Sequence, residues 1–176
     1  MATNDLEIPE ADHSVAVMKT AIEIEKFGIQ FYSDFSECVR DKRGAALLRS
    51  LGNDEKEHRA ILEKEIERLS AHCEVNNVEP LNEYLDILPS MVFKAPPGSC
   101  LTLQDEIKVL EKGIEVEIAS IDMYTSALSR VNDERSRRTL KELAKWESKH
   151  RELLEDSLRN LKLEGTWYAY SPILEG

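Results

Sequence analysis

The chain repeats itself, and that repeat limits its folds more than any other feature. Ile22-Glu23-Ile24-Glu25 aligns with Ile114-Glu115-Val116-Glu117 at an offset of 92 (117 − 25). The same offset, without a gap, carries Ile29 onto Ile121, Tyr32 onto Tyr124, Leu48 onto Leu140 and Leu51 onto Leu143. It goes on to carry Glu55 onto Glu147 and His58-Arg59 onto His150-Arg151. Asp41 and Arg43 fall on Asp133 and Arg135, so the register survives a turn. Two copies of one structural unit are expected, joined by a dissimilar middle.

Each copy reads as a helical hairpin. Met18, Ala21, Glu25, Gly28, Tyr32 and Phe35 follow steps of three and four, which place them on one helix face. Leu48, Leu51, Glu55, His58, Leu62 and Leu69 do the same. So do Leu110, Gly113, Glu117, Ser120, Tyr124 and Ala127, and then Leu140, Leu143, Glu147, His150, Leu154 and Leu161. Asp41, and Asn132 or Asp133, stand where helix N-caps belong, and Thr102 with Asp105 reads as a capping box. The hairpins span about 14–71 and about 102–162 of a single all-α domain. Between them a crossover of about 73–101 carries Pro80, Pro89 and Pro96-Pro97-Gly98, with one short amphipathic helix expected over 81–88. A connection this long in a compact domain is explained if it runs the length of a four-helix bundle. The tail from 163 to 176 starts Gly165-Thr166-Trp167-Tyr168 beyond the periodicity, and its aromatics are expected to pack on the outside.

Each apolar face is interrupted near its middle by an acid or an imidazole: Glu25, Glu55 with His58, Glu117, and Glu147 with His150. At one level of a bundle these bury four carboxylates and two imidazoles together. Such a cluster is costly alone, because like charges repel and buried carboxylates resist ionisation. Two divalent cations balance it, and oxygen and imidazole donors suit iron or manganese, or a mixed pair. Glu and His at i and i+3 share a helix face, so each Glu-x-x-His pair is expected to serve one metal. The competing reading is a buried hydrogen-bonded layer, but two imidazoles offer too few donors for four carboxylates.

The control lies in the same sequence. Glu10-Ala11-Asp12-His13 also fits Glu-x-x-His, yet the position 92 residues beyond His13 is Asp105, so His13 is set aside. Glu23 and Glu115 repeat too, but two residues turn them roughly 200° from the site face, and they read as solvated charges. Tyr32 and Tyr124 lie two turns beyond their glutamates; ligand hydrogen bonds, redox-active neighbours and plain core packing all remain open. Trp146 adjoins Glu147 but is expected to point elsewhere and pack. His72 and the three cysteines, Cys38, Cys73 and Cys100, lack partners at ligand spacing.

A formal net charge of −11 argues against a nucleic-acid partner and an anionic membrane surface. No apolar run reaches the roughly 20 residues of a spanning helix, and no signal-peptide pattern opens the sequence. Isolated cysteines, odd in number, fit a reducing cytoplasm.

These residues resemble the rubrerythrin branch of the ferritin-like superfamily. Ala21 to Tyr32, with Glu25 seven residues before Tyr32, is similar to that family's first helix. Asp54-Glu55-Lys56-Glu57-His58-Arg59 and Trp146-Glu147-Ser148-Lys149-His150-Arg151 resemble its two Glu-x-x-His helices, and Glu117 with Tyr124 resembles its third. The resemblance covers roughly residues 14 to 162. It implies a ferritin-like four-helix bundle with one long crossover, and a non-haem di-iron centre. In that centre Glu25, Glu55, Glu117 and Glu147 are the carboxylate ligands, and His58 and His150 complete the two irons. It also implies a homodimer and a peroxide-reducing activity.

Two departures stand out. The family's rubredoxin-like domain carries paired Cys-x-x-Cys knuckles that this sequence lacks, so electrons are expected from an external donor such as a rubredoxin-like protein. The family's additional glutamate, three residues after the third-helix ligand, is Ser120 here, and its repeat mate is Gly28. A symmetric site of four Glu and two His is closer to the centres of bacterioferritins and other di-iron oxidases. Three functions follow: reduction of peroxide or dioxygen, ferroxidase or iron handling, and a non-catalytic, metal-stabilised bundle.

Overall fold

The four periodic segments are four long helices. In the computed structural model, which describes residues 10–72, 78–85 and 101–167, α1 spans Glu10–Cys38 and α2 spans Lys42–His72. A short α3 covers Asn82–Leu85, followed by α4 (Leu103–Ala127) and α5 (Glu134–Glu164). The described residues contain no strand, and the chain is an all-α bundle of the ferritin-like type. None of these helices is long and apolar enough to cross a membrane.

Local chemistry sets the helix ends. Asp41 accepts the backbone N–H of Arg43 at 2.8 Å at the head of α2. Asp133, rather than Asn132, caps α5 by accepting from Ser136 N at 2.7 Å. Thr102 and Asp105 form the reciprocal capping box of α4. Such caps satisfy N–H groups that the helix itself cannot. Gly165 ends α5 in the left-handed region at φ 66°, which a residue without a Cβ enters at little cost.

The crossover is anchored at both ends. After α2 the chain meets the start of α1, where Lys19 Nζ donates to the Val78 carbonyl (2.8 Å) and Leu81 N donates to Thr20 Oγ1 (2.8 Å). It re-emerges at the opposite end of α1, where Leu101 N donates to the Cys38 carbonyl (3.2 Å). The two anchor points, Thr20 and Cys38, lie about 27 Å apart along α1 at 1.5 Å per residue, and α4 runs antiparallel to α1. Only Asn82–Leu85 of the short helix expected over 81–88 falls within the described residues as helix. Cys73, Cys100, Pro89 and the Pro96–Gly98 run lie outside them, as does the His72 side chain.

The apolar faces form two clusters. One gathers Met18, Leu62, Met123 and Leu140 at the end where α1 begins. The other gathers Phe31, Leu48, Leu110 and Leu154 at the far end. The polar interruptions lie between them.

One expectation fails. Trp167 does not pack on the outside: it is buried in the second cluster, and its Nε1 donates to the buried Glu106 carboxylate at 2.8 Å. Gly44 makes this insertion fit, because a Cβ there would lie 2.4 Å from the indole ring.

Candidate metal centre

Midway along the bundle, six side chains meet with almost no exposure: Glu25, Glu55, His58, Glu117, Glu147 and His150. They form two overlapping groups whose donor atoms lie within 4.8 Å of one another: Glu25, Glu55, His58 and Glu147, and Glu55, Glu117, Glu147 and His150. Glu55 and Glu147 belong to both. This differs from one Glu-x-x-His pair per metal: each pair contributes its own histidine, while both its glutamate and the other pair's are shared. The sharing arises because α2 and α5 face each other across the centre.

The imidazoles present Nδ1 to the carboxylates. His58 Nδ1 lies 3.2 Å from Glu55 Oε2 and 2.9 Å from Glu147 Oε1. His150 Nδ1 lies 3.0 Å from Glu147 Oε2 and 3.5 Å from Glu55 Oε1. The two rings stack, 5.4 Å apart and 16° from parallel. Tyr32, on α1, donates to Glu117 on α4, and Tyr124, on α4, donates to Glu25 on α1. Both phenols are wholly buried, so the tyrosines pack in the core and also bond carboxylates of the cluster. Gly28 gives Glu55 room: a Cβ there would approach its Cγ to 3.2 Å. Ser120 bonds back to the Val116 carbonyl at 3.1 Å.

The electrostatics show what the cluster lacks. Burial pushes the Glu25 and Glu117 carboxyls well above the usual range, and the charges of Glu55 and Glu147 push them further. Burial would depress His58, but Glu147, Glu25 and Glu55 outweigh it and hold the imidazole up to about 12. His150 is raised in the same way against its burial, by Asp54, Glu117, Glu147 and Glu55. Burial would also raise Glu55, yet its bonds to Glu25, His150 and His58 hold it below the ordinary value. Tyr32 and Tyr124 are raised by burial and by the carboxylates they touch. Even so, Glu25 Oε2, Glu117 Oε2 and Glu147 Oε1 are buried without a directed hydrogen bond, although Glu147 Oε1 lies close to His58. Orphaned carboxylate oxygens aimed into one volume are what cations satisfy. The donor set of oxygens and imidazoles fits two divalent metals of the iron or manganese kind.

The family model for rubrerythrin matches residues 16–158, which include all six residues. The chain belongs to the rubrerythrin family. A search of the curated proteins finds no match. Among solved structures, the chain is similar to a hypothetical protein from Pyrococcus furiosus, at 18% identity and a TM-score of 0.69. The match covers 94% of this chain and 97% of that one, and it supports the fold. As a rubrerythrin-family domain, the chain carries a buried carboxylate–histidine cluster compatible with a di-iron site.

Other singled-out residues lie apart. Glu23 and Glu115 are partly exposed and pair with Lys26 and Lys112, as solvated charges do. His13 is half-buried near the start of α1, away from the two groups. Trp146 does not point away: its ring stacks on His58 at 4.9 Å and 18°. Asp54, which sequence reasoning passed over, sits 3.4 Å from His150 Nε2. Its place beside Glu55 in the Asp-Glu-x-x-His string was the available signal.

Proposed function

We propose that the protein is a non-haem di-iron oxidoreductase that reduces hydrogen peroxide, or dioxygen, with electrons from a separate donor such as a rubredoxin-like protein. The observation that carries this is the pair of overlapping ligand groups sharing Glu55 and Glu147. When bound, two ferrous ions supply the two electrons that reduce peroxide to two waters, with two protons taken up.

The chain's own residues do the rest. Glu55 and Glu147 would serve both cations, with Glu25 and His58 completing one group and Glu117 and His150 the other. Tyr32 and Tyr124 fix the outer carboxylates, and their raised pKa keeps those phenols protonated as donors. The apolar clusters on either side exclude bulk water, which strengthens each electrostatic contact within.

A second reading is ferroxidase. It is favoured by Ser120 and Gly28, which leave the centre without a seventh ligand-forming side chain at these positions. Rapid mixing of the ferrous-loaded protein with each oxidant separates the two readings. Peroxide is expected to oxidise both irons at least tenfold faster than dioxygen, with turnover sustained by a reducing donor. Faster oxidation by dioxygen, with ferric iron leaving the site, would replace this reading with the ferroxidase one.

A further inference from the structure

The repeat makes the ligands of the centre symmetric, but the layer behind them is not. Resting on the metal-centre reading, we infer that the two metal positions are inequivalent, the one served by His150 binding its metal more tightly because Asp54 backs that histidine. At the corresponding place behind His58 the sequence has Trp146.

The chemistry differs on the two sides. Both imidazoles turn Nδ1 toward the carboxylates, so a metal bound there leaves the proton on Nε2. On His150 that nitrogen faces Asp54 Oδ2 at 3.4 Å. A carboxylate accepting the outer N–H fixes the ring and makes the inner nitrogen a better donor, an effect worth about ten- to a hundredfold in metal affinity. The indole stacked on His58 also fixes a ring plane, but its nitrogen is a donor only and cannot accept that proton. Asp54 is on the rim of the bundle, with its side chain 44% exposed, so it acts through His150 as a positioning residue.

Anaerobic titration with Co(II), followed by its visible absorption bands, tests this on the full chain. The wild type is expected to take two ions in two resolved steps. His58→Ala should keep one ion at the affinity of the tighter step, and His150→Ala should keep one bound at least tenfold more weakly. Asp54→Asn should weaken the tighter step about tenfold and shift its bands. Asp54→Glu should restore part of the loss, and neither Asp54 variant should change the affinity of the weaker step, which marks the effect as directed at the position served by His150. Equal affinities in the two histidine variants, or an unchanged tighter step in Asp54→Asn, would overturn the inference while leaving the metal centre standing. A wild type that takes up no Co(II) would overturn the metal-centre reading and this inference with it.

Discussion

The protonation of His58 gives the site a pH signature of its own. In the folded, metal-free protein its pKa is held up to about 12, against about 6.5 for an unfolded chain. The stability this gives is complete below about pH 6.5 and is lost as pH rises toward the folded value. Glu25 and Glu117 act with the same sign, since their raised pKa retains protons that an unfolded chain releases above about pH 4.3. Glu55, held low, opposes them; its contribution is present above about pH 4.3 and fades only in strong acid. Metal binding reverses the trend, because ligands must shed protons to coordinate. The melting temperature of metal-free protein should therefore fall between about pH 6 and pH 9, while the added stabilisation at a fixed low Mn(II) concentration should grow. A metal-free melting temperature that climbs over this interval would contradict the assignment. At this scale the six residues that the structure gathers into one buried cluster were legible because each breaks an apolar stripe. The neighbours of the histidines were not: Asp54 on α2 reaches His150 on α5, and Trp146 on α5 stacks on His58 on α2, so both depend on how two helices meet.

At the scale of elements, the repeat holds through the helices and diverges at their ends. Near the head of α5, Ser136 Oγ donates to the buried Glu65 (2.9 Å), and Arg68 ties Glu65 to the capping Asp133 (2.7 and 2.5 Å). The repeat mate of Ser136 is Gly44, where the chain places Trp167 instead of a polar cluster. This clasp joins the residues after α5 to the heads of α2 and α4. Trp167→Ala should cost about 3–5 kcal/mol through the cavity it leaves. Trp167→Phe should cost about 1–3 kcal/mol, mainly by stranding the buried Glu106 carboxylate. Urea unfolding measures both, and a Trp167→Ala loss below about 1 kcal/mol would mean that the segment is not part of the core. Helix identity and caps could be read from periodicity and turn residues. The clasp could not, because an aromatic beyond the last periodic residue has no local signal for the side on which it packs.

For the whole molecule, two apolar halves enclose one polar layer. The halves bury hydrocarbon and favour folding whatever the layer holds. The layer sets four carboxylates against two imidazoles and leaves Glu25 Oε2, Glu117 Oε2 and Glu147 Oε1 without a directed hydrogen bond, an arrangement compatible with bound cations. The four-helix architecture and the level of the centre were both written in the 92-residue repeat. The sharing of Glu55 and Glu147 became visible only once α2 and α5 were seen to face one another. That sharing sets the most direct test. After anaerobic ferrous loading and removal of unbound metal, elemental analysis should find two irons per chain in the wild type and fewer than one in Glu55→Ala or Glu147→Ala, since each serves both positions. Wild-type protein that stays free of iron, or a Glu55→Ala variant that keeps two, would contradict the account.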